Sequence, residues 1–250
     1  MYWTYTTDIR LKVKRIVPDE QPPKLKIVLL HDALGSIHQW KAFPEQLSTA
    51  LQAEVILYDR QGHGASSPKG VEHQKDFFHQ EALEVLPKFL EDHQLQDAII
   101  MGHSDGGTIA LLYAAHFHPK AVITIAPHIF IEEITLRGIR QAITVKTNLL
   151  SKLQKYHANK TEALFDSWAN TWTHPHFRTW NIQKEIKSVS CPLLLLQGEK
   201  DEYGSARQLE GIQEVVPHAQ IRIVSNLGHL PHLEAPKEVL DAIQPFLIAS

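Results

Sequence analysis

Ile99-Ile100-Met101-Gly102-His103-Ser104-Asp105-Gly106-Gly107 carries the strongest structural signal in the chain. It begins as a short apolar strand, turns through the pattern Gly-x-Ser-x-Gly, and enters a segment rich in Ala and Leu that favours a helix. Small residues at Gly102 and Gly106 allow neighbouring segments to approach a serine on a sharp, strained turn. The following helix directs its free amides and positive dipole end at the serine. The pattern predicts that Ser104 is a nucleophile.

A serine nucleophile requires a base and an acid, because its hydroxyl is unreactive near neutral pH. The chain offers both downstream, in the order serine, acid, histidine. The acid is expected in the loop after the apolar run 193–196, where functional residues of a parallel sheet gather. Three carboxylates compete there. We expect Asp201 to be the acid, and Glu199 and Glu202 to be solvated loop charges.

The base is expected in the loop before the last helix, where two histidines stand three residues apart. Gly228 gives His229 the freer backbone at the loop tip. We therefore predict His229 as the base, and His232 as a supporting or surface residue.

Acyl transfer also requires hydrogen-bond donors for the developing oxyanion. One donor is expected to be the backbone N–H of Asp105, the residue after the nucleophile. The other is expected in the loop after the first buried strand, residues 30–36, with the N–H of Ala33 as the predicted donor.

Short apolar runs recur along the rest of the chain, at residues 27–30, 55–58, 98–101, 121–126, 193–196 and 221–224. Each has the length of a strand buried on both faces. Helical spacing of apolar residues lies between them, at 43–51, 82–90, 109–113 and 239–246. This alternation predicts an α/β fold with a mostly parallel central sheet and helices on both faces. Residues 2–17 alternate polar and apolar, which is typical of half-exposed antiparallel strands.

One region interrupts the alternation. Residues 128–189 contain helical stretches rich in Trp, Leu and Ile and lack a convincing strand. A segment of this size is too long for an ordinary connection. We expect it to be an inserted helical lid, called the cap segment below, on a core formed by residues 1–127 and 190–250.

Composition excludes several classes of function. The 250 residues carry a formal net charge of −3, so no basic field is present to recruit nucleic acid. Cys191 is the only cysteine, which excludes an intramolecular disulfide. The 16 histidines raise the question of a metal site. The pairs 116/118 and 174/176 are two residues apart, so neither pair shares one face of a helix, and no HExxH pattern occurs. We expect no metal and no cofactor.

Targeting signals are also missing from the sequence. No basic segment followed by an apolar one occurs at the N-terminus, and no apolar stretch approaches the ~20 residues that cross a bilayer. We therefore expect a cytoplasmic protein, a monomer or a homodimer, with a small-molecule substrate and no membrane partner.

The chain resembles the α/β-hydrolase superfamily, and most closely its small bacterial esterases, lactonases and C–C hydrolases. The resemblance covers nearly the whole length. The turn Asp59-Arg60-Gln61-Gly62-His63-Gly64-Ala65-Ser66 looks like the family's D-x-R-G-x-G-x-S. The other matching segments are the loop 31–35 with Trp40 after it, the elbow 102–106, the loop 198–201 and Gly228-His229. It implies the α/β-hydrolase fold and a triad of Ser104, Asp201 and His229. Serine at the elbow, where other branches have aspartate, argues against dehalogenase and epoxide-hydrolase chemistry.

Two residues depart from the family pattern. Asp32 stands where the family usually has glycine, which places a carboxylate near the expected substrate carbonyl unless the side chain turns away. Asp105 stands where the family often has an apolar residue. Its acid could orient water, bind a cationic or hydroxylated substrate, or form a structural hydrogen bond inside the elbow. Both departures leave the triad intact.

The sequence gives a weaker prediction for the substrate pocket. The candidate substrate-binding residues are Asp32, His128, Phe130, Trp168 and Trp172. Packing of the cap segment onto the core is the alternative role for its aromatic residues. We expect hydrolysis of a carboxylic ester or lactone of a small, partly apolar substrate. The alternatives are a C–C hydrolase of β-diketone-like ring-cleavage products and a small-molecule receptor with little turnover.

Overall fold

A computed structural model describes residues 1–19, 22–69 and 76–249. In this part of the chain, eight strands form one sheet: β1 (Tyr2–Thr6), β2 (Ile9–Ile16), β3 (Leu25–Leu30), β4 (Ala53–Tyr58), β5 (Ile99–His103), β6 (Ala121–Ile125), β7 (Leu193–Gly198) and β8 (Gln220–Val224). Their spatial order is β1-β2-β4-β3-β5-β6-β7-β8.

The sheet is parallel except at one edge. Strand β1 pairs antiparallel with β2, and β2 pairs antiparallel with β4. All remaining neighbours pair in parallel. The alternating segment at the N-terminus therefore forms the antiparallel edge, and each of the six apolar runs overlaps a strand. The predicted α/β architecture, with its mostly parallel sheet, is confirmed.

The helices are α1 (Phe43–Leu51), α2 (Phe77–Gln80), α3 (Leu86–Asp92), α4 (Asp105–His116), α5 (Glu133–Thr144), α6 (Lys146–His157), α7 (Thr161–Thr173), α8 (Gln183–Ile186), α9 (Arg207–Val215), α10 (Pro231–Glu234) and α11 (Pro236–Ala249). A π-helical turn over Glu81–Val85 joins α2 to α3, and short 3-10 turns cover Ile37–Trp40, Ala158–Lys160 and Pro175–Phe177. No helix in the described ranges has the length and apolar character needed to span a membrane.

Two hydrophobic layers sandwich the sheet. In β3, Ile27 and Leu29 point into the layer shared with α1 and α11, whereas Val28 and Leu30 point into the layer shared with α3 and α4. Successive strand side chains point to opposite faces, so a strand covered on both sides must be apolar at nearly every position. This requirement explains the continuous apolar runs of the sequence.

The cap segment follows β6. Helices α5, α6 and α7 pack against one another, whereas α8 packs against α4 and α9 of the core. Buried side chains of α5 and α7, among them Ile139, Phe165 and Trp172, belong to the same hydrophobic cluster as the sheet and α4. The division of the chain into core and cap remains a prediction.

Candidate active site

Ser104 lies on the turn between β5 and α4. Its φ of 53° and ψ of −117° are in a region that residues with a side chain rarely adopt. The surrounding structure holds this backbone in place, because the Ser104 N–H donates to the Ile125 carbonyl at 2.8 Å and the Gly107 N–H donates to the Ser104 carbonyl at 2.8 Å. The strain is therefore supported by hydrogen bonds to β6 and to the first turn of α4.

The two glycines of the elbow are required by close backbone contacts. A Cβ atom on Gly102 would lie 2.0 Å from the Gly106 carbonyl oxygen, and one on Gly106 would lie 2.0 Å from the Leu30 carbonyl oxygen. No side chain fits at such distances. The elbow thus packs directly against the end of β3, which brings the loop after β3 beside Ser104.

His229 and Asp201 form a buried pair. The His229 Nδ1 lies 2.9 Å from the Asp201 Oδ1, and only 1% of the Asp201 side chain is exposed. The N–H groups of Tyr203 and Gly204 donate to the same oxygen at 2.8 and 3.2 Å, and the Gln197 amide donates to Oδ2 at 3.2 Å. With its Nδ1–H donated to Asp201, the neutral ring of His229 presents Nε2 as a proton acceptor.

The two pKa values move in the directions that a charge pair produces. Burial by itself would lower the pKa of His229, but the charge of Asp201 and their hydrogen bond outweigh burial, and the pKa is raised. Burial would raise the pKa of Asp201, but the charge and hydrogen bond of His229 and the N–H of Tyr203 lower it instead. The ring of His229 is therefore stabilised as an imidazolium, the state that a general base reaches during catalysis.

The loop carboxylates that compete with Asp201 make different contacts. The side chain of Glu199 accepts from the Asn226 N–H at 2.9 Å, and that of Glu202 accepts from the His229 N–H at 3.3 Å. Both residues are exposed. Glu202 is nonetheless more than a solvated charge, because it holds the backbone of His229.

His232 is buried. Of the two roles expected for it, that of a surface residue is wrong. Its ring packs 4.8 Å from Trp40 and 4.7 Å from His103, centroid to centroid. Burial, together with the nearby charge of His229, lowers the pKa of His232 to about 3. The free backbone expected at Gly228 is also not observed, since Asn226 is the residue with a positive φ (64°) in this loop. The hydrogen bond to Asp201 distinguishes His229 from His232.

The loop after β3 is anchored through the carbonyl of Asp32. This oxygen accepts from the Arg60 Nη2 at 2.8 Å and from the His31 Nδ1 at 2.9 Å. The Arg60 N–H donates to the other ring nitrogen of His31 at 3.0 Å, which fixes the proton on Nδ1. A trans peptide unit directs its N–H opposite to its C=O. The anchoring of Asp32 therefore orients the N–H of Ala33.

The two unusual carboxyl groups lie beside the same arginine. Asp105 is buried, its Oδ2 is 4.0 Å from the Arg60 Nη2, and its Oδ1 has no hydrogen-bond partner among the described residues. Burial raises the pKa of Asp105 to about 7, against the opposing effect of Arg60. Burial also raises the pKa of the half-buried Asp32. The structural hydrogen bond left open by the sequence is not observed at the Oδ1 of Asp105.

A pocket of about 260 Å³ opens at Ser104. Its wall contains most of the residues singled out from the sequence: Ala33, Asp32, Asp105, His128, Trp168, Trp172 and His229. The ring of His128 lies 5.2 Å from that of Trp172, and its Nε2 is 3.2 Å from the Tyr203 carbonyl. Burial, aided by the charge of His229, lowers the pKa of His128 to about 4, so the ring is neutral near pH 7.

Phe130 lies elsewhere. It forms an isolated bridge with Asn181 and approaches Gly211 of α9, and it is not among the residues of the pocket wall. Its expected contact with substrate has no support in this geometry, because its side chain lies against α9.

Further apolar residues of the wall come from α5 and α6. The sequence did not single out Ile139 and Ala142, whereas Leu149 and Leu153 are among the apolar residues of the cap segment that could line a cleft. Leu149 and Leu153 are four residues apart on a helix that is otherwise mostly polar, a spacing that indicates one buried helix face. The periodicity is visible in the sequence, but it does not indicate whether this face covers the core or a pocket.

Two further features concern alternative chemistry. Within residues 1–19, 22–69 and 76–249, no group of three or more His, Cys, Asp and Glu side chains is arranged to hold a metal ion. Cys191 is buried, and burial raises the pKa of its thiol to about 11, whereas a nucleophilic thiol needs a lowered pKa.

The buried neutral ring of His232 predicts a stability effect in acid. The folded-state pKa of about 3 lies below the ordinary 6.5, so the ring's contribution to stability is present above pH 6.5 and is lost as pH falls towards 3. Between pH 6.5 and 5 the loss is roughly 2 kcal/mol. We therefore expect the wild type to lose about 2 kcal/mol more unfolding free energy than His232→Leu between pH 7 and pH 5. Urea unfolding of both proteins at the two pH values measures this difference.

His38→Leu, at an exposed position, is the matched control for this comparison. Equal losses of stability in the wild type and His232→Leu would show that the pKa of His232 is the same in the folded and unfolded states, which contradicts a buried ring kept neutral by its surroundings.

Comparison with known proteins identifies relatives over most of the chain. The model of the "Alpha/beta hydrolase family" matches residues 27–242. The sn-1-specific diacylglycerol lipase ABHD11 of Mus musculus is 24% identical over 251 aligned residues, which cover 88% of this chain and 80% of that protein.

Solved structures share the fold. A carboxylesterase structure from Nitrososphaera gargenis superposes with a TM-score of 0.78 at 19% identity, over 99% of this chain and 98% of that one. The enol-lactonase of Burkholderia xenovorans LB400 superposes with a TM-score of 0.77 at 14% identity, over 99% and 100%.

Proposed function

Because this chain belongs to the alpha/beta hydrolase family, we propose that it is a serine hydrolase that cleaves a carboxylic ester or lactone through an acyl-enzyme on Ser104. The observation that carries the proposal is the 2.9 Å hydrogen bond between the His229 Nδ1 and the Asp201 Oδ1 at a pocket that Ser104 also lines. The structure thus combines a strained serine, a histidine with its acceptor nitrogen available and a buried carboxylate that orients it.

The reaction begins with attack of the Ser104 Oγ on the substrate carbonyl carbon, while the His229 Nε2 accepts the hydroxyl proton. The carbonyl π electrons move onto oxygen, and the N–H groups of Ala33 and Asp105 stabilise that oxyanion. The oxyanion then collapses, the C–O bond breaks, and the leaving alkoxide takes the proton from His229. Water attacks the acyl-enzyme by the same sequence and releases the acid and Ser104.

The composition of the pocket wall favours a substrate with a small, partly apolar acyl or alkyl group. Leu149, Leu153, Trp168 and Trp172 contribute apolar surface, and the neutral ring of His128 lies among them. A volume of about 260 Å³ is near the lower end of small-molecule sites. The carboxylesterase and the enol-lactonase named above share the fold, and they motivate testing esters and lactones together.

A fluorophosphonate probe tests the proposal, because it labels only a serine activated by its surroundings. We expect stoichiometric labelling, mapped to the peptide containing Ser104, and saturable hydrolysis of short-chain p-nitrophenyl esters or lactones. Turnover of β-diketones in preference to both would favour the C–C hydrolase. Thermal stabilisation by ligands without labelling or turnover would favour a receptor and contradict the proposal.

Arg60 is expected to affect kcat through the loop after β3, which carries the Ala33 N–H. Removing its donor to the Asp32 carbonyl frees the peptide unit that carries the Ala33 N–H. Loss of a whole oxyanion donor costs about 10²- to 10³-fold in kcat, and a misoriented donor should cost less. We expect Arg60→Gln to lower kcat about 10- to 100-fold with a small change in KM.

Arg207→Gln, at an exposed position on α9, serves as the control for the loss of a positive charge. An unchanged kcat in Arg60→Gln would show that the loop keeps its geometry without this hydrogen bond.

A further inference from the structure

A second cavity adjoins the Ser104 pocket. It encloses about 440 Å³ and shares five wall residues with the pocket: Asp32, Gln39, Leu149, Leu153 and Leu230. A substrate with its ester at Ser104 could therefore extend into this adjoining cavity. None of the proposed chemical steps uses this space.

The inner wall of the adjoining cavity is uncharged. It is formed by Trp40 and by the histidines 31, 103 and 232. Burial lowers the pKa of each of these three histidines, well below the usual range for His31 and His103 and to about 3 for His232. The rings are neutral near pH 7, so this wall favours an apolar part of a ligand.

The outer wall is positively charged. Lys152 and Lys155 of α6 and Lys41, which follows the turn Ile37–Trp40, are exposed residues of this cavity. Within the described ranges, none of these three lysines pairs with a carboxylate. The Lys41 Nζ donates to the Tyr156 hydroxyl at 2.8 Å. This hydrogen bond, together with Lys155, lowers the pKa of Tyr156 despite burial, which indicates a positive local potential.

Among the residues that the structure describes, Asp32 is the one carboxyl residue in the wall of this cavity, and burial raises its pKa. Asp32 also lines the Ser104 pocket and so lies at the boundary between the two cavities, whereas the three lysines line only the adjoining cavity. The lysine end therefore attracts an anionic group on the ligand, placed away from the carboxyl group at the boundary.

We propose that the adjoining cavity binds a carboxylate carried by the substrate, so that the natural substrate is an ester or lactone with an apolar arm that ends in this anionic group. The three lysines supply the attraction, and the Trp40 and histidine wall covers the apolar arm. The proposal rests on the proposed hydrolase function and specifies the substrate class of that site.

The experiment compares carboxylate esters with neutral twins. One pair carries the charge on the acyl arm: mono-4-nitrophenyl adipate and methyl 4-nitrophenyl adipate. The other carries it on the leaving group: 4-butanoyloxyphenylacetic acid and its methyl ester. For each pair, the ratio of kcat/KM for the anion to kcat/KM for the twin is measured at low and high salt. We expect a ratio above 1 in at least one pair, falling as salt screens the lysines.

The test variant is Lys152→Gln/Lys155→Gln, and the matched control is Lys184→Gln/Lys187→Gln, an exposed lysine pair with the same spacing that lines neither cavity. We expect the test variant to lower the anion-to-twin ratio about 10-fold, mainly through KM, and to reduce its dependence on salt. The control should leave the ratio at its wild-type value.

The two levels of the proposal fail in different ways. Hydrolysis of the neutral twins with an anion-to-twin ratio that the test variant does not change would overturn the carboxylate site and leave the hydrolase function standing. Absence of hydrolysis of all four esters by folded wild-type protein would contradict the hydrolase function itself.

Discussion

Ser104→Ala is expected to lower kcat for the best ester by about 10⁵- to 10⁶-fold, the scale found when a serine nucleophile is removed from an intact triad. The elbow should survive, because alanine places the same Cβ atom on a backbone with φ of 53°. The hydrogen bonds from the Ser104 N–H to Ile125 and from the Gly107 N–H to Ser104 involve only the main chain and are kept. Turnover, fluorophosphonate labelling and thermal unfolding should be measured on one preparation.

Ser190→Ala, at an exposed serine far along the chain, is the control and should retain labelling and turnover. If Ser104→Ala folds like the wild type and keeps more than about 1% of the wild-type kcat, Ser104 is not the nucleophile. The oxyanion hole and substrate binding alone leave a far smaller residual activity.

Asp201→Asn is expected to lower kcat about 10⁴-fold with little change of structure, the magnitude seen when the acid of such a triad becomes an amide. The N–H groups of Tyr203 and Gly204 would hold the asparagine carbonyl oxygen in place of the carboxylate. That same oxygen also contacts the His229 Nδ1, so the asparagine would still accept the Nδ1–H, but the negative charge that stabilises the imidazolium of His229 would be lost.

The pH dependence provides a second measurement for Asp201. In the wild type, kcat/KM should rise with pH through the raised pKa of His229, because the base must be neutral to act. Without the charge of Asp201, burial remains as the main influence and the pKa of His229 falls. The acid limb of the residual activity in Asp201→Asn should therefore shift to lower pH.

Glu199→Gln is the matched control, because Glu199 lies in the same loop, is exposed and contacts Asn226. It should keep kcat and the acid limb of the wild type. If Asp201→Asn retained more than a tenth of kcat, or if Glu199→Gln had the larger effect, the orienting acid would have been wrongly assigned.

The antiparallel edge and the parallel interior of the sheet could both be predicted from local patterns. Strands buried on both faces need apolar residues throughout, so runs such as 193–196 indicate β7 without tertiary information. The elbow could be predicted for the same kind of reason. Its glycines at 102 and 106 are needed because the neighbouring carbonyl oxygens would lie 2.0 Å from a Cβ atom.

The choice among nearby candidates depended on the tertiary structure. Glu199, Asp201 and Glu202 have the same chemistry in one loop, and only the arrival of the 228–232 loop, which brings His229 to 2.9 Å from Asp201, distinguishes them. His232 is drawn instead into the aromatic cluster at Trp40. A freer backbone at Gly228 predicted the same histidine, but the positive φ of this loop lies at Asn226.

Local sequence patterns were sufficient to predict the fold class, the elbow and the loops that carry the candidate residues, because these depend on the periodicity of burial and on contacts within a few residues. Tertiary packing was needed to show how Arg60 anchors the loop of Ala33, how Asp105 is buried, and how Lys152 and Lys155 come to line a cavity with Trp40. These relations join segments distant in the chain. Their distances and pKa shifts are set by packing and desolvation, which local sequence patterns do not contain.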